Sequence, residues 1–214
     1  HEKLRVISHG LNLVSFENDN IETFEQYTLL NIGTLIRKKG VFQLVAIFNK
    51  LVEQFPQARL IFIGNDSPDV QSGNPSTWKM LQEQFTEAAK ERTTYLGKIP
   101  YEHVQEHIKN AHVCVFPSLA ETLGMVTIES MALGKSVVNT NLGWAQDLIV
   151  HGVDGYMYHP DDIDAYVETI TTLFKDLEEV KRIAQNAQKS SRGKFDIKLL
   201  AQQNVDYYQS LLDS

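Results

Sequence analysis

Val113 to Asp147 reads VCVFPSLAETLGMVTIESMALGKSVVNTNLGWAQD. The apolar strand VCVF stops at Pro117, which cannot donate to a sheet ladder. Small and polar residues, SLAETLG, then precede the apolar-periodic run MVTIESMAL, so a helix is expected to start near Gly124 or Met125. A second strand, SVVNT, and a glycine-containing turn follow. The first turn of such a helix leaves backbone N–H groups without intrahelical partners, and glycine lets another group approach that backbone closely, which makes the preceding loop a ready anion site. Two carboxylates flank it, Glu121 in the loop and Glu129 on the helix, with seven residues between them. The apolar face of the helix accounts for neither.

The same alternation extends outward from this block. YTLLNIGTL is an apolar run from Tyr27; VFQLVAIFNKLVEQF carries Val41, Leu44, Val45, Phe48, Leu51 and Val52 at helical spacing; and Pro56 punctuates before the strand RLIFIG. A polar loop with Pro68, Gly73 and Pro75 leads to a helix expected from Ser76, a plausible N-cap, to about Ala89. The strand TTYLG, the helix YEHVQEHIKNA and the quoted block come next. A one- to two-turn helix near Ala145 and the short strand GYMY follow. Six strands alternating with helices imply right-handed parallel crossovers, hence an α/β, doubly wound, mostly parallel, Rossmann-like sheet. Gly33, Gly64, Gly97, Pro117 and Thr140 each fall at a strand's carboxyl end, where a ligand belongs. After Pro160 the pattern is helical throughout, giving extra C-terminal helices over Asp162–Lys175, Leu177–Ser190 and Ile197–Leu212. Ahead of Tyr27, LRVISHGLNLVSF reads as a short strand and a His9-Gly10 turn.

The chain has 214 residues, 43% hydrophobic and 22% charged, enough for a sizeable core but for one sheet only. No apolar run is long enough to span a bilayer and no signal peptide is legible, so a soluble, cytoplasmic protein is expected. A net charge of −7 argues against non-specific nucleic-acid binding. The single cysteine, Cys114, sits in an apolar strand and is expected to be a small buried hydrophobe, in keeping with a reducing compartment.

Gly33 to Gly40, GTLIRKKG, ends a strand and opens a helix, placing Arg37, Lys38 and Lys39 beside helical N–H donors, as phosphate binding requires. A solvated basic turn would look the same. His103-Val-Gln-Glu-His107 fits a short zinc-hydrolase pattern, but a parallel sheet is the wrong setting for it and no metal is expected there. Asp162-Ile-Asp164 follows Pro160 and precedes a helix, so N-capping explains it better than metal binding. No cofactor is called for.

The block from Glu121 through Leu123-Gly124, Glu129, Met131-Ala132, Gly134-Lys135 and Val137-Val138 to Gly143 resembles the donor-binding signature of retaining glycosyltransferases of the B-type, two-Rossmann-domain fold. The resemblance implies the C-terminal half of such an enzyme: residues 1–26 an interdomain linker segment, 27–214 the nucleotide-sugar-binding Rossmann-like domain, and an N-terminal acceptor domain absent from this chain. Ser8 and His9 depart from the family's linker, and Trp144 stands where a second glycine is usual. The implied roles are Glu129 on the ribose hydroxyls, the backbone N–H groups of Leu123, Gly124 and Met125 on phosphate, Lys39 on the diphosphate, and the Gly97-Lys98-Ile99 loop at the base. Glu121 would contact the transferred sugar as the catalytic residue. The family's Gly-Arg-Leu stands here as Gly33-Thr34-Leu35, so Thr34 replaces an expected arginine and Arg37 is the nearest substitute. The implied activity moves a sugar from a nucleoside-diphosphate sugar to a glycan, lipid-linked or small-molecule acceptor. It needs no metal and leaves room for peripheral membrane association through the other half. A non-catalytic nucleotide-binding module and a sugar-nucleotide epimerase of the same fold are the alternatives.

Overall fold

In the computed structural model, which describes residues 6–212, strand β1 (Thr28–Ile32) is the inner strand from which the sheet grows in both directions. Leu29 and Leu30 point to opposite faces and neither is exposed, which is why the strand reads as a continuous apolar run and not as an alternation. Helix α1 (Val41–Gln54) crosses to β2 (Arg59–Ile63). Next come α2 (Thr77–Gln84), α3 (Glu87–Glu91), β3 (Thr93–Tyr95), α4 (Tyr101–Asn110) and β4 (Val113–Phe116). The second half continues with α5 (Met125–Ala132), β5 (Ser136–Thr140), α6 (Ala145–Leu148) and β6 (Tyr156–Tyr158). It closes with α7 (Ile163–Lys175), α8 (Leu177–Phe195) and α9 (Ile197–Leu212).

All six strands are parallel, in the order β3-β2-β1-β4-β5-β6. Leu29 of β1 lies opposite Val113 of β4. Between these two strands the winding reverses, and the chain leaves them in opposite directions to open a crevice at their carboxyl ends. One face of the sheet, with Leu29, Val113, Val115 and Val138, packs on Phe48, Leu51, Tyr166 and Ile170 from α1 and α7. The other, with Leu30, Cys114, Phe116 and Val137, packs on Ile108, Ile128 and Met131 from α4 and α5. Cys114 is a buried free thiol, as expected of it. No helix among the described residues is long and apolar enough to cross a membrane.

Two local expectations are corrected. The helix expected from Ser76 to about Ala89 does begin at Ser76, whose hydroxyl accepts from the Lys79 N–H at 3.0 Å, but it breaks into α2 and α3. Phe85 turns extended to bury its ring against Phe48 and Trp78, Thr86 caps the new helix, and the Asn49 side chain bonds both Gln84 C=O and Thr86 N–H. Tertiary packing thus overrides a continuous helical pattern. The short strand expected in LRVISHG does not form over residues 6–10, and its first two residues, Leu4 and Arg5, lie outside the described residues. Leu11 instead bridges the junction of α8 and α9, accepting from Ile197 N–H and donating to Phe195 C=O. The segment before Tyr27 is no free tether, because Leu11, Leu13 and Phe16 are buried in the second core.

The amino end of the sheet holds two buried basic groups. His112 is stacked 4.5 Å from Phe24 and lies tilted 5.1 Å from Phe174, and its Nδ1 accepts from Tyr27 N–H. Burial pushes its pKa down to about 4, so the ring is neutral at pH 7. Lys135 is 2% exposed, and its Nζ lies 5.2 Å over the Phe24 ring with no hydrogen-bond acceptor among the described residues. Burial lowers its pKa to about 8.

Candidate functional site

The loop leaving β1 and the loop leaving β4 are fastened together across the crevice. After Gly33 the chain makes one 3-10 turn, Arg37–Lys39, and enters α1 through Gly40 at φ 66°. A side chain at Gly40 would place its Cβ 1.7 Å from the Pro117 carbonyl oxygen, so only glycine lets α1 start this close to the end of β4. Leu119 N–H donates to Lys38 C=O at 2.9 Å, closing the contact. The Lys39 side chain runs over bare Gly33, and its Nζ donates to Glu121 Oε2 at 2.6 Å.

Glu121 Oε1 accepts from Thr122 N–H at 3.0 Å. Burial pushes the Glu121 pKa up, but Lys39 and the N–H groups of Thr122 and Gly124 outweigh that and hold it below the usual carboxylate range. Gly124, at φ 61°, turns the loop into α5. An ammonium and backbone N–H groups at a helix start are the partners a phosphate takes, and here the protein's own carboxylate has them.

Glu129 lies one helical stretch further along α5, 7% exposed. Its Oε1 accepts from the Tyr101 hydroxyl at 2.6 Å. Desolvation outweighs that bond and raises the carboxylate pKa. The adjoining β5 contributes Asn139, whose Nδ2 donates to Thr127 Oγ1 and so braces α5 against the sheet.

The structure therefore brings Gly33, Lys39, Glu121, Leu123, Gly124 and Met125 to the crevice, with Glu129 on the same helix. Ile99 is half-buried and packs with Met125 and Val126 against the second core, while Lys98 and Thr34 are exposed. Arg37 is committed elsewhere: its Nε and Nη2 hold Asp69 at 2.7 and 2.9 Å, and Ser72 adds a further hydroxyl to the same carboxylate. The guanidinium beside Asp69 holds that pKa down to about 2.

Sequence reasoning missed two residues here, Tyr101 and Asp69. Both act through contacts with residues 28 and 32 positions away, for which no local pattern exists. The other motifs behave as ordinary structure. His103 is exposed and His107 half-buried on α4, and Asp162 Oδ1 caps α7 by accepting from Ala165 N–H. Among the described residues no three His, Cys, Asp or Glu side chains converge as a metal would need. A cavity of about 700 Å³ lies on another flank of the α5 loop, bordered by Ile7, Leu123, Trp144, Phe195 and Gln203. Neither Lys39 nor either glutamate lines it.

This strand order, with its crevice lined by the loops after β1 and β4, is that of the Rossmann-like domain of B-type glycosyltransferases. The chain belongs to the family Glycosyl transferases group 1, whose model matches residues 15–190. It is 27% identical over 216 residues to a capsular polysaccharide biosynthesis glycosyltransferase of Staphylococcus aureus, covering 96% of this chain and 54% of that one. Among solved structures, sucrose-phosphate synthase from Thermosynechococcus elongatus superposes with a TM-score of 0.81 at 25% identity, over 98% of this chain and 53% of that one. Anabaena HepE, solved with UDP and glucose, shares the fold with a TM-score of 0.82 at 23% identity, over 96% of this chain and 57% of its own. The chain spans about half the length of the relatives it matches.

Proposed function

We propose that this chain is the donor-binding half of a retaining, metal-independent glycosyltransferase that uses a nucleoside-diphosphate sugar. The observation that carries the reading is the Lys39–Glu121 contact across the crevice at the start of α5. It joins a cation suited to a diphosphate with a carboxylate suited to a sugar, at the point of the sheet where such ligands bind. In this reading the diphosphate displaces Glu121 from Lys39 and from the α5 N–H groups. The freed carboxylate then faces the sugar.

Lys39 and the N–H groups of Leu123, Gly124 and Met125 stabilise the charge that builds on the departing diphosphate, the work a metal ion does elsewhere. Glu129 takes the ribose hydroxyls, and Ile99 with Lys98 borders the base. The acceptor-binding half and the acceptor itself lie outside this chain. UDP is the first nucleotide to try, since it occupies HepE.

Titration calorimetry of the 214-residue chain with UDP, GDP and ADP tests the donor-binding reading; binding of one of them is the expected result, and binding of none sinks it. With an acceptor-binding half joined to the chain, transfer should persist in EDTA and should keep the donor's anomeric configuration, read by NMR of the product. Inverted product or loss of transfer in EDTA removes the retaining or the metal-independent part.

A further inference from the structure

Glu129 is a buried carboxylate on α5, and among the described residues its side-chain hydrogen-bond donor is the Tyr101 hydroxyl, 2.6 Å away. Tyr101 is held differently. It is the first residue of α4, directly after Lys98-Ile99-Pro100, and 57% of it is exposed. Among the described residues its ring stacks on no other ring. The bond to Glu129 therefore orients the hydroxyl, and because more than half of the residue is exposed, rotation about χ1 leads the ring toward water.

We propose that Tyr101 is an exchangeable latch on the ribose subsite: its hydroxyl holds Glu129 in the empty protein and gives way when the nucleotide's 2′- and 3′-hydroxyls bind. The inference rests on the reading of Glu129 as the ribose carboxylate. A buried carboxylate without a donor is expensive, so the empty site keeps a surrogate for the ribose. The surrogate supplies one O–H, whereas the cis-diol supplies two, so a ribonucleotide gains a bond when it replaces the phenol. A nucleotide without the diol has nothing to offer Glu129 and leaves the latch closed. Tyr101 thereby becomes a specificity-determining residue for the ribose. It also lowers the apparent affinity of every ribonucleotide, because the competent, open state is only a fraction of the empty protein.

The test compares Tyr101→Phe with the unaltered chain by calorimetry, using UDP, GDP and ADP and their 2′,3′-dideoxy counterparts. Tyr101→Leu serves as a second hydroxyl-free variant. For the ribonucleotide that binds, loss of the hydroxyl should tighten Kd about three- to tenfold, a competing charge-assisted bond reduced by partial exposure to water. The dideoxy form should bind both proteins equally. A merely supporting tyrosine would move the two ligands together. Weakened binding of both forms, or an unchanged Kd for the ribonucleotide, overturns the latch while leaving the ribose reading intact. If the unaltered chain binds the dideoxy form as tightly as the ribonucleotide, Glu129 is not the ribose carboxylate, and both readings fall.

Discussion

Lys39 Nζ lies 2.6 Å from Glu121 Oε2, joining residues 82 positions apart that leave two neighbouring strands at the point where the sheet reverses its winding. The pair is 29% and 14% exposed, so it is neither a screened surface contact nor a fully dry one. Each partner occupies the place that the proposed ligand's groups would take.

Glu121 and Glu129 should separate by kinetic effect once an acceptor-binding half is present. Glu121→Gln should lower kcat on the order of a hundredfold or more, as loss of a transition-state contact does. It should leave UDP affinity equal or tighter, because Lys39 is released from a competing carboxylate. Glu129→Gln should instead raise the donor's KM more than it lowers kcat, since the nucleotide looks the same in ground and transition states. Steady-state kinetics with calorimetry of UDP decides it; the reverse pattern would exchange the two roles.

The two basic residues of the β1 loop should part in the same way. Lys39→Ala should weaken UDP binding by roughly 1.5–3 kcal/mol, about ten- to a hundredfold in Kd. Arg37→Ala should leave Kd unchanged and lower Tm, because buried Asp69 loses its two guanidinium bonds. Equal losses of affinity would mean that Arg37 leaves Asp69 to take the part left open by Thr34.

Acid should destabilise the domain through His112. Its pKa falls from 6.5 to about 4 on folding, so between those values the unfolded chain binds the extra proton. The stability is then fully present above pH 6.5 and is lost as pH drops toward 4, by about 3 kcal/mol. Urea unfolding at pH 7 and pH 5 should show the loss, and His112→Phe should flatten it. An equal slope in the variant would assign the acid sensitivity to another group.

Lys135→Met should stabilise the protein at pH 7 by on the order of 1–3 kcal/mol, since it replaces a buried ammonium that lacks an acceptor and gives up only its position over Phe24. The pKa of Lys135 drops from 10.5 to about 8 on folding, so its penalty is complete below pH 8 and is relieved as pH rises above it. Between about pH 8 and 9, before the buried Cys114 thiol begins to act in the opposite sense, the unaltered protein should gain stability and the variant should not. A destabilised Lys135→Met would show that the ammonium has an acceptor in solution.

Much of the molecule was determined by sequence alone. The six strands, their parallel order of connection and the helix after Pro117 follow from periodicity and from proline and glycine punctuation, which act over a few residues and need no partner. Gly33 and Gly124 were marked by the same punctuation, at a strand end and at a helix start, whereas Lys39, Glu121 and Glu129 stood apart from ordinary solvated charges only through the family resemblance. Only the tertiary structure decided how the charges pair. The sequence offers Arg37, Lys38 and Lys39 in a row, and nothing local separates them. Fastening Gly40 against Pro117 delivers Lys39 to Glu121, while the loop after β2 delivers Asp69 to Arg37. Tyr101 opened an ordinary amphipathic helix until α4 was laid beside α5 and its hydroxyl met Glu129. Lys135 read as one match in a motif until the strands on either side closed over it without supplying an acceptor. Hydrophobic patterning is set by nearest neighbours along the chain, whereas the partner of a polar atom is set by which strands and helices lie side by side, and that comes only with the completed sheet.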